Sequence, residues 1–201
     1  KLGRMYYDGE GTEVNYEKAM YWYEKAAEQG DMEAQFNLGL MYYDGEVTEV
    51  NYEKALYWWE KAAEQDDVRA QFNVGSMYYD GEGTEVNYKK ALYWYEKAAE
   101  QGDVDAQFET ADMYYYSYGE GMSWDKEKAL YWFEKAAEQG HIKAQLKTGC
   151  MYYKGEGTKR NKEKALYWFE LAAAQGHERA QEYIKANSNK TQKTSVKNLS
   201  N

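Results

Sequence analysis

The sequence predicts an all-α protein, a solenoid of antiparallel helix pairs, and three observations carry that expectation. The chain of 201 residues contains no proline and is rich in Ala, Glu, Lys, Gln and Leu, so the strongest helix breaker is missing and good helix formers dominate. The string MYY, followed by Asp, Tyr or Lys, returns at Met5, Met41, Met77, Met113 and Met151, at intervals of 36, 36, 36 and 38 residues. Self-similarity at such a period marks tandem repeats that bury their apolar faces only against their neighbours. Aromatic and small residues within each repeat also recur at helical spacing.

The second repeat shows how each element arises. Asp31 is an N-cap for a first helix running to about Asp44, and GEVTEV is a loop. Asn51 then caps a second helix to about Gln65. Gly30, Gly102, Gly140 and Gly176 follow the second helices, where a left-handed residue commonly ends a helix, and Asp66 stands there once. Five repeats are visible, the first without its beginning, and HERAQEYIKA from His177 opens a sixth that stops after one helix. The array is expected over residues 1–186. The polar, slightly basic segment 187–201 is expected to be a disordered tail.

At 100° per residue, Ala55, Trp58, Trp59, Ala62 and Ala63 share one face of the second helix, with Glu53, Tyr57, Glu60 and Glu64 opposite. Trp58 recurs as Trp22, Trp94, Trp132 and Trp168, and Trp59 as Tyr23, Tyr95, Phe133 and Phe169. Aromatic stripes at this spacing flanked by alanines predict a packed core, with the indoles hidden between helices. On the first helix, Ala34, Leu38, Met41 and Tyr42 form the buried stripe. Gly39, recurring as Gly3, Gly75 and Gly149, predicts a close helix approach.

The spacing A-x3-LG-x2-Y-x2-G-x-G, then N/D-x2-KA-x2-W-Y/F-x-KAAEQG, resembles the Sel-one-like repeat, a relative of the tetratricopeptide repeat. Ala34, Leu38, Gly39, Tyr42, Gly45, Asn51, Lys54, Ala55, Trp58, Lys61, Ala62, Ala63 and Gln65 carry it, and the other repeats follow in register. Departures are local: Val47 replaces the second loop glycine, Leu171 replaces a helix lysine, and the fourth repeat carries YYYSYGEGMSWD in place of YYDGEGTEVN. The resemblance implies a right-handed superhelix whose first helices line a concave surface. It also implies an adaptor that holds protein partners, with bacterial relatives serving in signalling, envelope processes or host interaction.

Comparing the repeats with one another separates positions that every repeat needs from those that vary. The varying positions of the first helices form a face opposite the buried stripe and are the candidate partner-binding residues. They are Glu33, Asn37, Leu40 and Asp44 in the second repeat, and Arg69, Asn73, Ser76 and Asp80 in the third. The fourth repeat supplies Asp105, Glu109 and Asp112, and the fifth supplies Lys143, Lys147, Cys150 and Lys154. Arg179, with Lys159 and Arg160 in a loop, extends the positive end. A peptide carrying basic residues near the acidic stretch and acidic residues near the basic one is the expected ligand, against the plainer alternative of a solvated helix face. Phe36, Phe72, Phe108, Tyr43, Tyr79 and Tyr115 border this face and are expected to pack between repeats. In the irregular fourth repeat, Tyr116, Tyr118, Met122 and Trp124 look exposed, and Trp124 is expected to staple onto the first turn of the following helix.

Other chemistry is not expected. The formal charge of −10 opposes nucleic acid and anionic membrane surfaces, and no apolar run reaches the roughly 18 residues that span a bilayer. His141 and His177 stand at helix starts, where other repeats have Asp31, Asp67 and Asp103, which favours capping over metal ligation. Cys150 has Lys147 and Lys154 nearby to lower its pKa but no base to orient it, and it forms no internal disulfide because it has no second cysteine to join. The GEGT loops carry Glu10, Glu46 or Glu82, which would repel phosphate. The expectation is therefore a monomeric, non-enzymatic scaffold without a cofactor, in a compartment left open because the chain begins inside a repeat. The alternative function is binding of glycan or peptidoglycan by exposed tyrosines and tryptophans.

Overall fold

The computed structural model describes residues 1–118 and 123–186. Met122 and the expected tail from Asn187 lie outside the described residues. The described chain is all-helical and divides into two compact units, Lys1–Asp103 and the described residues from Val104 on. The first contains α1 (Leu2–Asp8), α2 (Tyr16–Ala27), α3 (Met32–Asp44), α4 (Tyr52–Ala63), α5 (Val68–Asp80) and α6 (Tyr88–Glu100). The second contains α7 (Val104–Tyr116), α8 (Lys126–Glu138), α9 (Ile142–Lys154) and α10 (Lys162–Ala174), followed by helical residues 178–186. Within each unit every helix packs on the next, giving the stacked helix pairs of an α-solenoid.

The helix starts are set by short polar side chains. Asn15, Asn51 and Asn87 accept hydrogen bonds from the backbone N–H three residues on, as do Asp125 and Asn161 in the second unit. Asp31 and Asp67 do the same for first helices, and His141 does so through Nδ1, accepting from the Ala144 N–H at 3.1 Å. At the left-handed position after α4, Asp66 adopts φ 67°, where the equivalent residue in other repeats is glycine. Val47, in contrast, is not left-handed, unlike Gly83 and Gly157 at the equivalent position, so the substitution changes the loop backbone.

The core is built from the small and aromatic residues of both helices. Trp59, Tyr23 and Tyr95 in the first unit and Phe133 and Phe169 in the second are all buried, as are Ala34, Leu38, Met41 and Tyr42. Gly75 has the role expected of it, because a Cβ there would stand 2.7 Å from the Tyr95 ring. The other indole position differs from expectation. Trp22 is exposed and Trp58, Trp94 and Trp132 are half-buried; only Trp168 is buried. On the helical wheel Leu56 lies about 60° from Trp59 on the side of Ala63, whereas Trp58 lies about 100° away on the other side. The buried arc includes Leu56 and leaves Trp58 at its margin, packed edge-on against Tyr57 with ring centroids 4.9 Å apart.

Polar side chains join the repeats as well. Gln65 donates to Gln35 at 2.7 Å and Gln101 to Gln71 at 2.9 Å; in the second unit Gln139 donates to Gln107 and Gln175 to Gln145, both at 2.9 Å. Gln35, Gln71 and Gln145 each pass a hydrogen bond on to a carbonyl of the preceding repeat, those of Ala27, Ala63 and Ala137. The two tyrosines of MYY face opposite ways. Tyr42 donates back to Glu24 of the preceding repeat at 3.2 Å, and Tyr43 donates forward to Glu82 of the following one at 3.0 Å. Glu60 and Glu134 accept from Tyr78 and Tyr152, both at 2.6 Å, so the glutamates expected to face solvent are partly committed to the stacking.

Candidate partner-binding face

The varying positions lie on the first helices, between the conserved bonds that fix the stacking. In the first unit, Glu33, Asp44, Arg69 and Asp80 are exposed, and Asn37, Leu40, Asn73 and Ser76 are half-buried. The structure brings three of them together. Arg69 reaches back to Glu33 at 2.7 Å, Asn37 donates to the Glu33 carboxylate at 3.1 Å, and the Arg69 guanidinium stacks 3.9 Å from the Phe36 ring centroid. Arg69 also pairs with Asp67 at 2.6 Å. Its hydrogen bond holds the Glu33 carboxyl below the usual carboxylate range, against an opposing effect of burial. Leu40, Asp44 and Asn73 form a second group, lining an open cavity of about 210 Å³ with Tyr43, Trp59, Met77 and Glu82. Ser76 and Asp80 join neither group.

In the second unit, Asp105, Lys143, Lys154 and Arg179 are exposed and Glu109, Asp112 and Lys147 half-buried. Lys147 is not a free cation. It lies 3.6 Å from Asp112, donates to the Tyr116 hydroxyl at 2.8 Å and sits over the rings of Tyr116 and Tyr115, 4.6 and 5.3 Å from their centroids. Lys154 approaches Glu156 at 4.0 Å, and Asp105 lies 3.7 Å from the His141 imidazole. The change of sign expected along the face is therefore partly cancelled by pairs between successive first helices, Arg69 with Glu33 and Lys147 with Asp112. Surface pairs of this kind are typically worth about 1 kcal/mol or less. Of the basic positions, Lys143, Lys154 and Arg179 are exposed, with Lys154 at the edge of ion-pair distance from Glu156.

Two other expectations change. Burial pushes the Cys150 thiol up, outweighing the opposing effects of the Tyr183 hydrogen bond and of Lys154, Arg179 and Lys147, so the nearby lysines do not activate it. Trp124 does not staple: it is 73% exposed, and its indole N–H donates to the Tyr116 carbonyl at 3.0 Å, at the end of α7. Phe36 and Tyr43 pack against Trp59 and Phe108 against Phe133, each within its own repeat, and all three also touch the following repeat, Phe36 through Arg69, Tyr43 through Glu82 and Phe108 through His141. Among the described residues no group of three or more His, Cys, Asp or Glu side chains could hold a metal ion, and no helix is long and apolar enough to cross a membrane.

Stacked helix pairs joined by repeated polar bonds, with a variable face on the first helices, define a helical-repeat scaffold. The Sel1 repeat model matches residues 1–31, 33–67, 68–103, 104–141 and 142–177, and the chain belongs to the Sel1 repeat family. Solved structures with the same architecture include a protective antigen of uropathogenic Escherichia coli displaying an SLR fold, 36% identical with a TM-score of 0.83. That match covers 90% of this chain but only 38% of the antigen, so the chain spans well under half of that relative's length. A Sel1 repeat protein from Oxalobacter formigenes is 39% identical with a TM-score of 0.81, covering 90% of this chain and 74% of its own. Helicobacter pylori cysteine rich protein B shares the fold at 24% identity and a TM-score of 0.51, over 69% of this chain and 98% of that protein. A search of curated proteins finds no match.

Proposed function

We propose that this chain is a non-enzymatic scaffold that, as a monomer, holds a protein or peptide partner on the variable face of its first helices. The observation that carries this reading is a division of roles within each repeat. The residues common to the repeats, such as Gln35, Tyr42 and Tyr43, bond to neighbouring repeats. Positions that vary stay accessible and differ in charge between the two units: Glu33, Asp44 and Asp80 in the first, Lys143, Lys154 and Arg179 in the second. Such a face is suited to electrostatic selection of a partner. Bacterial extract passed over the intact chain and over a variant combining Lys143→Glu, Lys154→Glu and Arg179→Glu tests this. The reading expects at least one protein to be retained by the parent and lost from the equally stable variant; identical retained sets at low salt would reject it.

A second reading, glycan binding, is favoured by exposed rings on the second helices. Tyr21, Tyr57 and Tyr93 in the first unit, and Tyr131 and Tyr167 in the second, are each more than half exposed. Each meets the adjacent tryptophan edge-on, with centroids 4.9 to 5.3 Å apart. Soluble peptidoglycan fragments should then alter tryptophan fluorescence, less so after Tyr57→Ala and Tyr93→Ala; no response at millimolar fragment would dismiss this reading.

A further inference from the structure

The cavity on the first unit has a counterpart in the second, and the two differ in what fills them. In the repeat register, Asp112, Tyr115, Tyr116 and Phe133 correspond to Leu40, Tyr43, Asp44 and Trp59. Lys147, Met151 and Glu156 correspond to Asn73, Met77 and Glu82. The frame is the same in both places: Tyr115 donates to Glu156 at 2.6 Å, as Tyr43 donates to Glu82 at 3.0 Å. In the second unit the chain fills its own site, because Lys147 places its ammonium between Asp112, the Tyr116 hydroxyl and the rings of Tyr115 and Tyr116.

In the first unit the residue at that position is Asn73, which is too short to do the same, and about 210 Å³ stays open. Leu40, Tyr43, Met77 and Trp59 supply apolar and aromatic walls. Asp44 and Glu82 supply two carboxylates, neither in an ion pair, and no cationic side chain lines the space. The volume falls below the 300 to 1,000 Å³ or so typical of pockets for drug-sized ligands and suits a single side chain.

We propose that this cavity is a receptor for one lysine side chain presented by the partner protein. The alkyl stem lies along Leu40, Tyr43 and Met77, and the ammonium meets Asp44, Glu82 and the Tyr43 ring, which stands where the Tyr115 ring faces Lys147, with Asp44 at the Tyr116 position supplying the acid that Asp112 provides in the second unit. This assignment rests on the scaffold reading and adds to it the chemistry that the partner must offer.

The test uses the full chain with Nα-acetyl-lysine N-methylamide as probe, the norleucine derivative as its uncharged counterpart, and methyl NMR of Met77 with indole NMR of Trp59 as readouts. The lysine derivative should produce saturable shifts at both signals, with the norleucine derivative binding roughly tenfold more weakly. Asn73→Lys, which supplies the ammonium from within, should abolish those shifts, and Asp44→Asn should weaken binding by a similar factor should the first variant fail to fold. Equal binding of the two derivatives, no shift at Met77, or undiminished binding to a folded Asn73→Lys or Asp44→Asn protein would overturn the proposal. The combined Lys143, Lys154 and Arg179 reversal lies in the other unit and should leave probe binding unchanged. A failed probe titration alongside retained partner loss in that reversal would therefore remove the lysine receptor and leave the scaffold reading standing.

Discussion

The Gln101 amide donates to the Gln71 side-chain oxygen at 2.9 Å, while Gln71, fully buried, donates in turn to the Ala63 carbonyl at 3.2 Å. This relay carries a polar bond through the core from one repeat to the next. Gln71→Leu keeps the volume but removes both bonds, while Gln101 retains its bond to the Asp66 carbonyl and the Ala63 carbonyl still accepts from the Asp66 N–H. It should cost about 1 to 3 kcal/mol, since a typical intramolecular hydrogen bond contributes roughly 0.5 to 1.5. Urea unfolding monitored by circular dichroism measures the loss, and a cost under about 0.5 kcal/mol would show that the relay contributes little.

The two aromatic positions of the second helix should separate sharply on truncation. Trp59 is buried and donates from its indole to the Phe36 carbonyl at 3.0 Å, so Trp59→Ala should cost about 3 to 5 kcal/mol. Trp58, at the margin of the core, should cost less than about 2 kcal/mol. Parallel denaturant titrations of the two variants check this; equal losses would contradict the burial difference.

Gly75→Leu should lower the melting temperature, because even a Cβ at this position meets the Tyr95 ring at 2.7 Å and neither helix can withdraw without breaking its other contacts. Overpacking of this kind costs typically 1 to 3 kcal/mol. Pairing it with Tyr95→Ala should recover part of the loss by opening room for the new side chain, which a double-mutant cycle would register.

Stability of the second unit should carry a pH dependence from His141. Burial holds its imidazole below the ordinary histidine range, opposed by Asp105 and assisted by Lys143. The folded state therefore favours the neutral ring, whose Nδ1 accepts from the Ala144 N–H. Between the folded and unfolded pKa values the unfolded chain binds more protons, so this contribution is complete above the unfolded value of about 6.5 and is lost as pH falls through the folded one. His141→Asn retains a capping acceptor that does not titrate. The difference in urea midpoint between about pH 8 and about pH 5 should be smaller in that variant than in the parent; an unchanged difference would place the dependence elsewhere.

Much of this architecture was legible because period and composition report on backbone geometry. The interval between methionines gave the repeat, Asn51 and Asp67 gave the helix starts, and alanines around Trp59 gave the core. What escaped were relationships between repeats. Glu60 read as a solvent-facing residue and Gln71 drew no assignment, and only the stacking of one repeat on the next reveals the Tyr78 hydroxyl and the Gln101 amide beside them. Lys147 escaped for a related reason: its sequence signal is a variable surface charge, while its rings and its acid come from the preceding repeat, 31 or more residues earlier in the chain. The 210 Å³ cavity could not be read at all, since an unfilled volume leaves no residue to mark it.

Because Tyr42 reaches back to Glu24 while Tyr43 reaches forward to Glu82, the junctions on either side of the second repeat use interchangeable donors and acceptors. Removing or duplicating one 36-residue block inside the first unit would bring like ends together without designing a new joint. Length in such a protein is a modular trait, open to change by unequal recombination, and the number of variable side chains offered to other molecules grows or shrinks with it.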